Sequence, residues 1–317
     1  MQVFTFILRQ MFNFSIPLLL VALGGMFSVR SGITNIGLEG MMVFGALVSI
    51  TFLRFTQDVM SGQLQLLLAV LIATASGVVF SLLHAFASVN LKANQIISGQ
   101  ALNTFAPAFS IFVARILFGE QIILFKNTFV IEKVPVLGDI PVLGDILFTK
   151  AYFTTYLGIA IYFVCAFVLN KTRFGLRLRA CGEYPQAPDS VGVNVYKYRY
   201  AGVMISGALS GLGGLVFVVP NSTNFNSTVA GYGFLAMAVM IFGQWTPIRI
   251  FFSSFFFGLM MTFAATYSGI PFLATLGIPS NYYKMLPYIV TIIALFFTRN
   301  SSRAPKSEGK PFEKGMR

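Results

Sequence analysis

YAGVMISGALSGLGGLVFVV, Tyr200 to Val219, runs for twenty residues without a charge. A helix needs roughly 20 mainly apolar residues to cross a hydrocarbon core about 30 Å thick, so this stretch reads as a membrane span. Ala151 to Leu169 and Ile250 to Thr266 have the same character, and Leu286 to Phe297 is shorter and recruits Tyr282 and Tyr283. The runs are continuously apolar, whereas the strands of an outer-membrane barrel alternate apolar and polar residues over about ten positions. Of the 317 residues 56% are hydrophobic and 10% charged, against about 25% charged in a soluble domain. A soluble fold of this length could not hide that much apolar surface. The expected fold class is therefore all-α, a polytopic helical membrane protein.

Charge sets the orientation. Short cytoplasmic loops collect Lys and Arg, and two segments do so: residues 171–199, with Lys171, Arg173, Arg177, Arg179, Lys197 and Arg199, and residues 299–317, with Arg299, Arg303, Lys306, Lys310, Lys314 and Arg317. An even number of crossings must separate them, and four fit: Tyr200 to Val219, Val229 to Gly243, Ile250 to Thr266 and Leu286 to Phe297. Working backward, Ala151 to Leu169, Asn94 to Phe118, Leu64 to Ala87, Ile36 to Phe52 and Phe12 to Phe27 bring the total to about nine crossings, with a range of 8–10. Residues 1–298 form one membrane domain with an external segment at 119–150. Residues 299–317 read as a disordered basic cytoplasmic tail. The net charge of +12 belongs to these loops and not to an amphipathic face, so nucleic acid is not an expected partner and membrane lipid is. Met1 to Leu8 lacks a basic start and no small-residue cleavage site follows the first apolar run, so a cleavable leader is not expected.

Two apolar segments are short and interrupted by glycine: GITNIGLEGMMVFG, Gly32 to Gly45, and VAGYGFLAMAVMIFG, Val229 to Gly243. They occupy similar places in the two halves of the chain, which in transporters points to the transport pathway; glycines that merely let helices approach closely give the same pattern. The external segment repeats Pro-Val-Leu-Gly-Asp-Ile at Pro135 to Ile140 and at Pro141 to Ile146. Each Gly-Asp pair signals a turn, and a compact cap or hairpin is favoured over a docking surface for an external binding protein.

Chemistry-bearing motifs are sparse. No Gly-x4-Gly-Lys-Ser/Thr phosphate loop occurs. Glu39 is the one acid placed at or inside a span, which gives little support to a proton relay. His84 stands in an apolar span without a partner carboxylate and reads as a hydrogen-bonded packing residue. Cys165 and Cys181 read as free thiols, and Trp245, near Arg249, as an interfacial anchor. No catalytic group, cofactor or metal is expected. The most informative stretch is TRFGLRLRACGEYPQAPDSVGVNVYKYRY, Thr172 to Tyr200, which combines basic residues with a helix-start signal at Pro185. A cytoplasmic helix between two spans is a handle for an external motor; contact of the arginines with lipid headgroups is the alternative.

Thr172 to Val195 closely resembles the ATPase-coupling loop of permeases in the branched-chain amino acid, ribose and nucleoside group of bacterial ABC importers, roughly FGxRLRAxGENPxAAxxxGINV. The chain supplies Phe174, Gly175, Arg177, Leu178, Arg179, Ala180, Gly182, Glu183, Pro185, Ala187, Gly192, Asn194 and Val195. Ser31 to Leu47, Ala93 to Asn103 and Ile205 to Phe217 are similar to three further landmarks of that group, in the same order, and the first two look most like simple-sugar and nucleoside permeases that work with a basic-membrane-protein-type lipoprotein. Tyr184 stands where Asn is common and Pro188 where Ala is common, a departure that bears on the fine contact with the ATPase.

The resemblance implies a permease subunit, not an enzyme, in the bacterial cytoplasmic (inner) membrane with its C-terminus inside. It implies an ABC ATPase subunit with two nucleotide-binding modules in one chain, a second and different permease subunit, and an external solute-binding lipoprotein. Nucleoside is the expected cargo; ribose, another simple sugar or riboflavin would keep the machine, and a self-sufficient secondary carrier or channel is the reading from another class. Coupling is carried over to Arg179, Gly182, Glu183, Pro185, Ala187 and Gly192. The substrate pathway is assigned to Asn35, Glu39, Asn94, Gln95, Ser98 and Asn103, polar groups that either line it or bond helix to helix.

Overall fold

The computed structural model describes residues 2–60, 62–135, 137–141, 144–267, 279–298 and 303–314. Helices dominate: α1 (Gln2–Arg30), α2 (Leu38–Thr56), α3 (Gln63–Ala85, extended by a π turn Phe86–Asn90), α4 (Gln95–Phe118), α5 (Phe153–Lys171), α6 (Arg173–Glu183), α7 (Gln186–Ser190), α8 (Val195–Asn221), α9 (Tyr232–Phe242), α10 (Pro247–Thr266) and α11 (Ser280–Thr298). Seven of them, α1 to α5, α8 and α10, are long and apolar enough to cross a membrane. With α9 and α11 they match the nine expected segments among the described residues.

The ends of these helices follow local chemistry. Asn94 caps α4 by accepting from the amides of Ile96 and Ile97, and Gly119 closes it with φ of 75°, a conformation in which a side chain is strained. Thr172 caps α6 through the Gly175 amide, and Asn194 caps α8 through that of Lys197.

α8 is the centre of the bundle, packed against α1, α2 and α3. Its small residues make this possible. A methyl group on Gly211 would overlap Ala73 and Gly77, one on Gly207 would overlap Ser81, and one on Gly214 would overlap the Met42 carbonyl. Without a hydrophobic force between helices in lipid, close backbone approach is the main source of contact, and α8 supplies it on several sides. α1 and α8 are buried over most of their length, α4 and α5 over little.

Residues 119–150 are held by two small antiparallel pairs. β1 (Ile123–Leu124) pairs with β4 (Asn224–Phe225), and β2 (Val130–Lys133) with β3 (Thr149–Tyr152) in the register Val130 to Tyr152. The repeat thus caps a hairpin, with a 3-10 turn at Leu137–Asp139 and a π turn at Gly144–Phe148.

Two expectations change. Trp245 is buried, not interfacial, because it lies in the bend between α9 and α10, where its carbonyl accepts from the Arg30 guanidinium at 2.9 Å. Residues 303–314, expected to be disordered, lie along the helix ends beside α6 with Phe312 buried. A run with so many lysines read as solvated, yet its backbone finds partners and its one aromatic ring finds a hollow.

Candidate coupling and translocation site

Each of the two glycine-interrupted segments holds only part of a crossing. After Arg30 the chain turns at Gly32 and runs without helical structure through residues 33–36 before α2 begins. Such backbone cannot satisfy itself and must find partners. They are side chains of other helices. Gln95 accepts from the Thr34 amide at 2.7 Å, while His84 bonds to the Thr34 carbonyl and to Ser98, both at 3.1 Å. Asn103 donates to the Ile36 carbonyl at 2.9 Å and accepts from the Gly40 amide at 2.8 Å. Asn35 donates to Ser206 at 2.9 Å and accepts from the Gly37 amide.

The second segment begins as irregular chain after α8. α9 then has 11 residues, about 16 Å of helix, or half of a hydrocarbon core of about 30 Å. Its first amides are met from the other segment: Glu39 Oε1 accepts from Gly231 at 2.9 Å and Oε2 from Gly233 at 2.6 Å. The carboxylate is 8% exposed and sits where a helix N-terminus favours negative charge. Gly233 lies so close that a methyl group there would overlap the Glu39 backbone. The two segments therefore meet, with Glu39 as the bond between them.

Of the residues assigned to the pathway, Asn35, Glu39, Gln95 and Asn103 are buried in this brace, Ser98 joins it through His84, and Asn94 is the exposed cap of α4. His84 has the hydrogen-bonded packing role expected of it. Ser206 on α8 is a further member; it lies within the Ile205 to Phe217 landmark but was not singled out there, since one serine in an apolar run is ordinary.

At the end of the bundle that carries the basic loop, α6 folds back against the helices through Gly175, Leu178, Cys181 and Gly182, leaving Arg173, Leu176 and Arg177 exposed. Gly182 packs on the end of α1; a methyl group there would overlap the Arg30 carbonyl. Glu183 lies 3.6 Å from the Arg30 guanidinium. Arg179 and Arg30 line a groove of about 370 Å³ with Trp245 between α1, α5 and α10. Pro185 opens α7, a single turn, and Gly192, with φ of 79°, reverses the chain into α8. Tyr184, Ala187, Val191 and Gly192 are exposed around α7, a protruding knob that no other part of the described chain covers. Both cysteines are buried and unpaired, and burial pushes the Cys181 thiol up to about 11.

A bundle of apolar helices long enough to cross a membrane, with extended chain leading into α2 and the short helix α9 meeting inside it at Glu39, defines a polytopic membrane protein of the transporter type. The chain belongs to the family described as the branched-chain amino acid transport system / permease component, whose model matches residues 7–295. It is 43% identical to the guanosine ABC transporter permease protein NupQ of Bacillus subtilis, over 100% of this chain and 99% of that protein. It is also 43% identical to the nucleoside ABC transporter permease protein NupC of Lactococcus lactis, over 96% and 95%. A second Lactococcus lactis nucleoside permease protein, NupB, is 26% identical over 89% of this chain and 76% of its own length. No solved structure matches the chain. The chain is a multi-pass, non-catalytic permease component of an ABC importer, a class of machine that also comprises an ATPase, a solute-binding protein and other permease subunits.

Proposed function

We propose that the chain forms one half of the translocation pathway of a nucleoside importer in a bacterial cytoplasmic membrane, with its C-terminus inside. The observation that carries this is the 43% identity, over nearly the full length, to two permease proteins named for guanosine and nucleoside transport. The second half is a related but different chain. The unequal likeness to two permease proteins of one organism, 43% and 26%, supports such a pairing. The ATPase, two nucleotide-binding modules in one chain, docks on the knob around α7, and a lipoprotein delivers solute from outside. Five of the six polar residues of the pathway, all but Asn94, serve it by holding its walls: they fix the extended segment 33–36 and the start of α9, the two places where irregular backbone enters the bundle.

Coupling follows from this arrangement. Force on α7 reaches α6, and the end of α6 is packed on Arg30 and the turn at Gly32. That turn leads into α2 and, through Glu39, to α9. ATP and the loaded receptor shift access by stabilising different states of this chain of contacts.

Thermal stabilisation of the solute-binding partner by a panel of nucleosides, sugars and riboflavin, followed by uptake of the best ligand with and without ATP, tests the function. A nucleoside with ATP-dependent uptake is expected. A sugar or flavin would keep the machine and change its cargo, and uptake indifferent to ATP would replace it with a secondary carrier. Glu183→Ala, which loses the partner of Arg30, and Pro185→Ala, which loosens the entry to α7, are each expected to lower uptake per ATP hydrolysed while membrane insertion persists. Normal coupled uptake in both would remove the loop from the mechanism.

A further inference from the structure

Residues 303–314 touch the cytoplasmic ends of helices from both halves of the bundle. The Arg303 amide donates to Gln244 Oε1, beyond the end of α9, at 3.1 Å. On the coupling loop, the Ser307 amide donates to the Gly182 carbonyl at 2.9 Å and its hydroxyl to the Glu183 carbonyl at 3.1 Å. On the α1–α2 turn, the Gly309 amide donates to the Gly32 carbonyl at 3.2 Å, and the Thr34 hydroxyl reaches Glu308 at 3.4 Å. On α8, Arg199 donates to the Lys310 carbonyl at 3.0 Å, and the Phe312 ring packs with Cys181 and Val195. Glu313 pairs with Lys92 at the end of α3.

Arg199 makes this docking specific. It is 1% exposed, and a buried guanidinium is costly unless it is served by partners. No carboxylate pairs with it among the described residues. What it has is the Lys310 carbonyl and the Phe312 ring, whose centroid lies 5.9 Å from the guanidinium carbon; its Nε and Nη2 have no partner. Both compensations come from the strap.

We propose that residues 303–314 form a strap that fastens the coupling loop to the α1–α2 turn, so that the two move as one body when the ATPase works. The strap is bonded to the lever at Gly182 and Glu183 and to the load at Gly32 and Thr34. Besides the strap they touch at the end of α6, through Cys181, Gly182 and the Arg30 and Glu183 side chains, and at Arg199, which lies beside Gly32 and is itself held by the strap. The half-buried Glu308, whose carboxyl burial holds above the usual range, sits at the load end beside Thr34. This inference rests on the reading of residues 171–199 as the ATPase-docking loop.

The test uses the assembled importer in proteoliposomes, with ATPase retention, ATP hydrolysis and uptake measured on the same samples. A chain ending at Ser302 is expected to keep its ATPase and to lose about tenfold in solute moved per ATP, within the 5–150-fold range of ordinary coupling energies. Faster alkylation of Cys181, in a Cys165→Ser background, reports that the Phe312 hollow has opened. A wild-type ratio with the hollow open would overturn the strap. A second arm needs no truncation: Thr34→Cys and Glu308→Cys, in a chain carrying Cys165→Ser and Cys181→Ser, are oxidised to join strap and turn. Parts that move as one body lose nothing when joined, so the wild-type ratio is expected. Arrest that reductant reverses would show that the strap must let go in each cycle, and would overturn the proposal. Loss of ATPase retention in Ala187→Asp or Val191→Asp tests the docking loop separately, because the strap is judged only by samples that keep the ATPase.

Discussion

The two glycine-interrupted segments look alike in sequence and are built differently. Gly32 to Gly45 supplies extended backbone whose amides and carbonyls are satisfied by side chains of α3 and α4, with Asn35 reaching α8. Val229 to Gly243 supplies a short helix whose opening amides are satisfied by Glu39 of the first segment. The first is braced by its neighbours, the second by the first. Order at the start of the second segment thus depends on order in the first, a direction of dependence that neither segment shows alone.

The comparison would be broken most directly at Glu39. Glu39→Ala leaves the Gly231 and Gly233 amides without their acceptor, and each unsatisfied buried donor costs about 1–3 kcal/mol. Relief of burying a carboxylate offsets part of this, but Glu39 is the acceptor for two amides at once and sits at a helix N-terminus that favours its charge. The largest fall in thermal stability of the purified complex is therefore expected here, with loss of uptake, and Glu39→Gln, which keeps one oxygen, should fall between. If Glu39→Ala were no worse than a variant in the brace, the dependence of the second segment on the first would be wrong.

Asn103→Ala comes next. It frees the Ile36 carbonyl and the Gly40 amide, and a loss of about 2 kcal/mol is expected from two such groups. The measurement is the same unfolding midpoint, with uptake reduced. Asn94→Ala should have the smallest effect. It removes an exposed cap of α4, about 1 kcal/mol by comparison with other caps, and leaves the brace intact. Uptake close to wild type sharpens the distinction between a residue that ends a helix and residues that hold the extended segment; a large uptake defect at Asn94 would make it a pathway contact.

Much of the fold was legible because lipid imposes a simple rule. Uninterrupted apolar runs such as Ala151 to Leu169 must be helices, since backbone in hydrocarbon has no other partner, and each expected segment coincides with a helix, although α1 begins at Gln2, well before the expected Phe12. The glycines of the two broken segments marked where helices stop. The partners of the exposed backbone were harder to assign. Asn35, Gln95 and Asn103 stood out as polar groups in apolar surroundings, but sequence spacing does not say whether an amide faces a passing solute or the carbonyl of a chain segment more than sixty residues away. The bond of Ser206 to Asn35 and the contact of Gly182 with Arg30 carried no mark, because a serine and a glycine are unremarkable until a second element is laid against them.

The tail shows the same limit from the other side. Its composition, with lysines, prolines and a glycine, argues for solvation by local rules, and those rules cannot see the hollow formed by Cys181, Val195 and Tyr196 from two separate helices. Composition and periodicity alone determined that this chain is a bundle of membrane helices with a basic loop between two spans, because hydrophobicity and charge act residue by residue. Tertiary structure alone decided that Glu39 joins the two half-segments and that Phe312 closes over Arg199, because hydrogen bonds and ring contacts act between residues that only folding brings within about 3 to 6 Å of each other.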